Sequence, residues 1–185
     1  MLTVSRLEPS KRPFDFLKVA EVVSSKISDV EFVWVGDGTM RQRILTLLDQ
    51  TNTKNVRFVG RLAEKDKELI MCSSDVYVST SESEGFALTP GEAILKGLPV
   101  VVYDLPVYAE IYKDFLLKVK PFDTQEFASK VIVALEKPEW LIKKIEEAKL
   151  FIRKNYSYDS VGSRATEALK MILGITDGSD ARSLF

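Results

Sequence analysis

Phe32-Val33-Trp34-Val35-Gly36-Asp37-Gly38 is a run of four apolar residues that ends in a glycine-rich turn. A strand that is apolar at every position is covered on both faces, as in a parallel sheet with helices on each side. The same signature returns at Val100-Val101-Val102-Tyr103. Outward from these two runs, further strands are expected at Leu2–Ser5, Val56–Val59, Asp75–Ser79 and Leu116–Val119, with the first run extended to Glu31 and the second to Pro99. Amphipathic stretches lie between them at Pro13–Ile27, Thr39–Thr51, Glu64–Ser73, Pro90–Lys96 and Val107–Lys113. This alternation predicts an α/β fold, a Rossmann-like doubly wound parallel sheet with helices on both faces. From Asp123 only helices are expected, at Thr124–Leu135, Glu139–Lys154 and Asp159–Leu173.

Composition narrows the function classes. The chain has 185 residues, enough for one domain with a sizeable core. Lys+Arg number 26 against 27 Asp+Glu, so there is no basic surplus to expect of a nucleic-acid binder. The absence of histidine removes a Ser-His-Asp triad and a histidine-ligated zinc site. One cysteine, Cys72, allows no internal disulfide and fits a reducing cytoplasm. Cys72, Trp34 and Trp140 read as core.

In an open parallel sheet, ligands sit outside the carboxyl ends of the strands, where strand order reverses. The unusual residues collect there. The first strand runs into Arg6 and Lys11, the second into Gly36-Asp37-Gly38, the third into Gly60, and the fourth into Ser79-Thr80-Ser81-Glu82-Ser83-Glu84-Gly85-Phe86. With strand order 3-2-1-4-5-6, the basic pair faces the Glu-Gly-Phe loop across the crevice. Ser5–Pro13 contains no glycine, against a dinucleotide fingerprint, and no P-loop motif exists. Gly36-Asp37-Gly38 alone reads as a tight strand-to-helix turn. Arg6 and Lys11, by contrast, stand where a helix start presents free N–H groups, a natural anion site. Charge-assisted bonds from such cations are worth about 1.5–3 kcal/mol each, so they outweigh a helix dipole of roughly 0.3–1. Thr89-Pro90-Gly91-Glu92 reads as a capping box with Thr89 as N-cap. Carboxylates repel a diphosphate, so Glu84 and Glu92 are placed on sugar hydroxyls.

Taken in order, these segments resemble the retaining GT-B glycosyltransferases of family four. Ser5-Arg6-Leu7-Glu8-Pro9-Ser10-Lys11 is similar to that family's G-R-L-x-x-x-K segment, and Glu84 through Glu92 to its E-x7-E motif. Val35-Gly36-Asp37-Gly38, Phe58-Val59-Gly60, Leu98-Pro99-Val100-Val101 and Asn155-Tyr156-Ser157-Tyr158 keep the family's order and spacing. The resemblance implies a donor-binding domain over residues 1–174, the C-terminal half of a GT-B fold, followed by a disordered tail at 175–185. It implies that Arg6 and Lys11 hold the donor diphosphate. Glu84 and the amides of Gly85, Phe86, Ala87, Leu88 and Thr89 would meet the transferred sugar and distal phosphate. Glu92 would bind the ribose, with Gly36 and the backbone near Gly60 and Arg61 toward the base. Ser5 and Ala87 replace glycines of the family pattern, and Asp104-Leu105-Pro106 replaces a Gly-Gly pair.

The implied activity is retaining transfer of a mannose- or glucose-like hexose from a UDP- or GDP-linked donor, without metal or other cofactor. Mannosyl transfer in polysaccharide or glycolipid synthesis is the expected setting. The acceptor-binding N-terminal half is expected in cis or as a separate chain, without which this chain is inactive. A noncatalytic nucleotide-sugar-binding subunit is the alternative. An epimerase or phosphorylase of similar architecture is a further rival, and for a phosphorylase no pyridoxal-binding lysine site is identifiable. Lys143, Lys144, Lys149, Arg153 and Lys154 suit the inner face of a membrane or, as helix periodicity favours, a solvated face with Leu141, Ile142, Ile145 and Leu150 inward.

Overall fold

The computed structural model describes residues 1–51 and 53–173. The segment 175–185 lies outside the described residues. Six strands form one sheet: β1 (Leu2–Val4), β2 (Phe32–Val35), β3 (Val56–Gly60), β4 (Tyr77–Ser79), β5 (Val100–Tyr103) and β6 (Leu117–Val119). Their spatial order is β3-β2-β1-β4-β5-β6, and every pairing is parallel. The order reverses between β1 and β4, which meets the condition under which the sequence reading places the crevice there.

The helices are α1 (Pro13–Ser24), α2 (Arg41–Thr51), α3 (Glu64–Cys72), α4 (Leu88–Leu95), α5 (Pro106–Tyr112), α6 (Thr124–Glu136), α7 (Glu139–Tyr156) and α8 (Tyr158–Leu173). They cover both faces of the sheet. All four residues of central β5 are buried. Edge strand β3 instead alternates, with Val56, Phe58 and Gly60 inward and Arg57 and Val59 outward. Arg57 and Val59 are exposed. The side chain of Asp123 starts α6 by accepting a hydrogen bond from the Glu126 amide at 2.9 Å.

The core beside the crevice is aromatic. Phe16 meets the Trp34 ring edge-on at 5.2 Å, and Trp34 stacks on Phe58 at 5.6 Å. The buried Trp34 indole N–H donates to the Ser5 carbonyl at 3.1 Å, so packing and a buried polar group are satisfied together.

The chain falls into two compact units, Met1–Lys149 and Leu150–Phe185. In the second, α8 buries none of its residues, and Arg164 Nη2 donates to the Asn155 carbonyl. Three expectations are corrected here. Cys72 is exposed at the last turn of α3, not core. Trp140 is half exposed, because its neighbour Leu141 takes the inward position on α7. Ile142 and Leu150 also face outward, while Leu141 and Ile145 are buried. A helix buries one stripe, and four apolar residues at 141, 142, 145 and 150 exceed its width. Among the described residues, no helix is long and apolar enough to cross a membrane.

Candidate functional site

Arg6 is held by its backbone neighbours. The Ser5 amide donates to Val35 at 3.0 Å, the Leu7 amide to Asp37 at 2.9 Å, and the Met40 amide returns to Leu7 at 3.0 Å. This loop lies directly on the glycine turn. A Cβ at Gly36 (φ +138°) would stand 1.9 Å from the Ser5 carbonyl oxygen, and one at Gly38 2.4 Å from that of Leu7. The two glycines are therefore needed for backbone to pass over backbone. Glu8 ties the same loop to the start of α2, accepting from the Thr39 amide at 3.1 Å and its hydroxyl at 2.6 Å. Those two bonds hold the Glu8 carboxyl below its ordinary pKa, the hydroxyl contributing most.

Lys11 is fixed from the opposite side. It ends a 3-10 turn (Pro9–Lys11), and the next residue, Arg12, adopts a left-handed conformation (φ 53°, ψ 53°) before Pro13 starts α1. That conformation is unusual for a side-chain-bearing residue. Arg12 Nε donates to Asp15 Oδ2 at 3.1 Å, and its guanidinium lies 4.7 Å from the centre of the Phe122 ring. Asp15, buried beneath, also accepts from the Tyr103 hydroxyl at 3.0 Å. Burial first, then the Asp15 charge, pushes the Tyr103 phenol well up, so it remains a donor at neutral pH. The Thr80 hydroxyl donates to the Lys11 carbonyl at 2.9 Å, and the Glu82 amide to Ser10 at 2.9 Å. Lys11 is thus fastened to the loop after β4.

A cavity of about 280 Å³ opens between these two anchors. Arg6, Lys11, Glu84, Gly85, Phe86, Ala87, Leu88 and Thr89 all line it, with Tyr77 and Ser79 at its floor. Its central ion pair joins Lys11 Nζ to Glu84 Oε1 at 2.7 Å. The same ammonium donates to Ser81 Oγ at 3.1 Å and the Ser83 carbonyl at 3.2 Å. An anion entering the cavity therefore meets a lysine already oriented, but shares it with a carboxylate. Tyr77 is buried, and burial above all raises its phenol, which donates to the Val4 carbonyl at 3.3 Å.

The remaining predicted residues lie elsewhere. The Gly36 amide donates to Gly60 at 2.8 Å, closing the ends of β2 and β3, and Arg61 is exposed beyond it. None of these three lines the cavity. Glu92 lies on α4 but caps nothing. The capping-box reading is wrong: α4 begins at Leu88 with Ala87 as N-cap, and no side chain caps it. The left-handed backbone of Ala87 (φ 54°, ψ 57°) starts the helix one residue before Thr89, which moves Glu92 past the capping position. Its carboxylate instead accepts from Lys67 Nζ at 3.0 Å, and Lys67 also holds Glu64 at 2.7 Å. Burial alone depresses the Lys67 ammonium, but its bonds to Glu64 and Glu92 outweigh that and raise its pKa. Among the described residues, no group of three or more carboxylate, cysteine or histidine side chains could hold a metal ion.

Ser81, Asp15, Tyr103 and Lys67 had no local signature. Lys11 and Ser81 are 70 residues apart and meet because β1 and β4 are neighbours, while Asp15 on α1 and Tyr103 at the end of β5 are 88 apart and meet only where that helix packs on the sheet.

The structure is a doubly wound domain with a cavity at the switch point that two cations line, and comparison with known proteins gives its family. The family of glycosyl transferases group 1 matches residues 1–154, and the chain belongs to that family. Its six-stranded domain is a Rossmann-like half of the GT-B type. The chain is 35% identical over 107 residues to the UDP-N-acetylglucosamine–peptide N-acetylglucosaminyltransferase GtfA subunit of Streptococcus agalactiae, covering 57% of this chain and 21% of the relative. It is 33% identical over 105 residues to a poly(ribitol-phosphate) alpha-N-acetylglucosaminyltransferase of Staphylococcus aureus, covering 55% and 20%. In fold it matches the pneumococcal O-GlcNAc transferase GtfA in complex with UDP and GlcNAc, with a TM-score of 0.77, 20% identity, and coverage of 93% of this chain and 35% of that one. The match spans about a fifth of the length of each of these two curated relatives.

Proposed function

We propose that this domain binds the donor of a retaining glycosyltransferase of family four, the E-x7-E group, with the diphosphate between Arg6 and Lys11. The observation that carries the reading is the cavity itself, which brings both cations and the N-terminus of α4 to one space. Helix-start amides and two cations form a preorganised site for the charge that develops on a departing nucleoside diphosphate. The bond between the anomeric carbon and the phosphate oxygen breaks with its electron pair passing to that oxygen, which the cations stabilise without a metal ion, while an acceptor hydroxyl oxygen bonds the same carbon from the same face and gives its proton to the departing phosphate. Glu84 and the loop from Gly85 to Thr89 take the sugar and distal phosphate, and Glu92 the ribose. The Gly36, Gly60 and Arg61 region lies toward the base.

N-acetylglucosamine is the favoured sugar, on the names of the two relatives above, and uridine the favoured base, on the name of the first. This narrows the mannose- or glucose-like expectation, for which an O-antigen chain mannosyltransferase of Salmonella typhimurium, 25% identical over 130 residues, is the support. The acceptor is held by further protein, in cis or as a second chain.

The test is calorimetry with UDP in the presence of a chelator. Binding should persist, and strict dependence on Mg²⁺ would remove the metal-free reading. Arg6→Ala should weaken UDP by about tenfold or more, from the loss of a charge-assisted bond worth about 1.5–3 kcal/mol, while uridine binding changes little. Equal losses for both ligands would move Arg6 out of the phosphate site.

Glu92 permits a second test. Glu92→Gln keeps the shape but exchanges a charged acceptor for a neutral one. Affinity for the ribonucleotide should fall about fivefold, or about 1 kcal/mol. The 2′-deoxy nucleotide should respond much less. An unchanged ribonucleotide affinity would leave Glu92 as a partner of Lys67 and nothing more.

A further inference from the structure

Tyr112 sits on α5, outside the motif that surrounds the cavity, yet its hydroxyl touches that motif twice. It accepts from the Gly91 amide at 3.1 Å and donates to the Ala87 carbonyl at 2.5 Å. These two backbone groups, four residues apart, are the pair whose direct bond would close the first turn of α4 in a regular helix. Here a phenol stands between them. Gly91 is glycine for this reason, since a Cβ there would lie 3.0 Å from the Tyr112 oxygen and 3.4 Å from its ring.

The insertion falls beside a strained residue. Ala87 is left-handed (φ 54°, ψ 57°), a conformation that a Cβ disfavours and glycine adopts freely. It is also the residue whose carbonyl Tyr112 holds. The tyrosine itself is buried and packs against Tyr108, ring centres 6.3 Å apart, so the hydroxyl has a fixed position. The consequence reaches the cavity. Pro90 has no amide hydrogen and the Gly91 amide is taken by Tyr112, which leaves the Leu88 and Thr89 amides at the helix start. Both residues line the cavity, and the conformation of Ala87 sets where their N–H groups aim.

We propose that Tyr112 is a positioning residue for donor binding, a hydroxyl clamp that holds Ala87 left-handed and so aims the Leu88 and Thr89 amides at the donor's phosphate. This rests on the diphosphate reading above. It touches no substrate, and its effect passes through the backbone of Ala87.

Tyr112→Phe keeps the ring and removes the hydroxyl. UDP affinity, by calorimetry, should fall about tenfold, the effect of about one lost charge-assisted amide–phosphate contact. Ala87→Gly added to that variant should recover at least half of the loss on a logarithmic scale, because glycine needs no clamp to be left-handed. A packing defect would show no such rescue. A double variant as weak as Tyr112→Phe, or a Tyr112→Phe protein that binds within twofold of the parent, would overturn the proposal. Amide exchange by NMR on the ligand-free protein separates this from the diphosphate reading. The Gly91 amide should exchange about tenfold faster in Tyr112→Phe, and an unchanged rate would show that no clamp exists whatever the ligand. If the parent protein bound no UDP while the Gly91 rate rose, the diphosphate reading and the positioning role that rests on it would fall, and the clamp alone would stand.

Discussion

Lys11→Met should weaken UDP binding by about two orders of magnitude at moderate ionic strength. Two losses combine. The charge-assisted bond to phosphate disappears, and Glu84 is left in the cavity without its 2.7 Å partner. The first is worth about 1.5–3 kcal/mol, and the stranded carboxylate facing an anion brings the sum to roughly 3, or about 150-fold. The double variant Lys11→Met/Glu84→Gln isolates the second loss. With the stranded charge neutralised, it should bind UDP several times more tightly than Lys11→Met alone. Calorimetry on both decides the matter. Equal affinities for the single and double variants would mean that Glu84 does not face the phosphate, and parent-like affinity in Lys11→Met would remove the lysine from the site.

Gly36→Ala should produce the other large effect, on stability. The backbone at φ +138° is strained for alanine, at a cost of about 1–3 kcal/mol. The new methyl group would overlap the Ser5 carbonyl at 1.9 Å. Relieving that overlap moves Ser5 away from the buried Trp34 indole, and an unpaired buried donor costs about 1–3 kcal/mol more. A total near 3 kcal/mol lowers the melting temperature by roughly 6–12 °C for a chain of this length. Asp37→Ala is the control, since among the described residues that side chain accepts only from the adjacent Gly38 amide at 2.9 Å, and its melting temperature should fall far less. Thermal unfolding followed by circular dichroism compares the two. If Gly36→Ala melts with the parent protein, the close passage of the two backbones is not what requires glycine there.

By itself the sequence determined the doubly wound parallel sheet and, given strand order 3-2-1-4-5-6, the crevice. Continuous apolar strands, amphipathic helices and turn residues are local patterns, and a parallel doubly wound sheet is the arrangement that buries them all. The same logic placed Arg6, Lys11, Glu84 and the loop to Thr89 on one edge of the sheet, and all of them line one cavity. What tertiary structure decided is how those groups are held. Thr89 looked like an N-cap because its spacing to Glu92 fits a capping box. The left-handed turn at Ala87 overrode that pattern by starting α4 earlier, and Glu92 found Lys67 on another helix. The Lys11–Glu84 pair, the bond from Tyr103 to the buried Asp15 and the Tyr112 hydroxyl inside the first turn of α4 each join residues 21 or more positions apart. Periodicity reports which face a residue occupies, over one or two turns or a few strand positions. It carries no information on which distant side chain will stand opposite, because that depends on loop paths and backbone strain that only the packed chain settles.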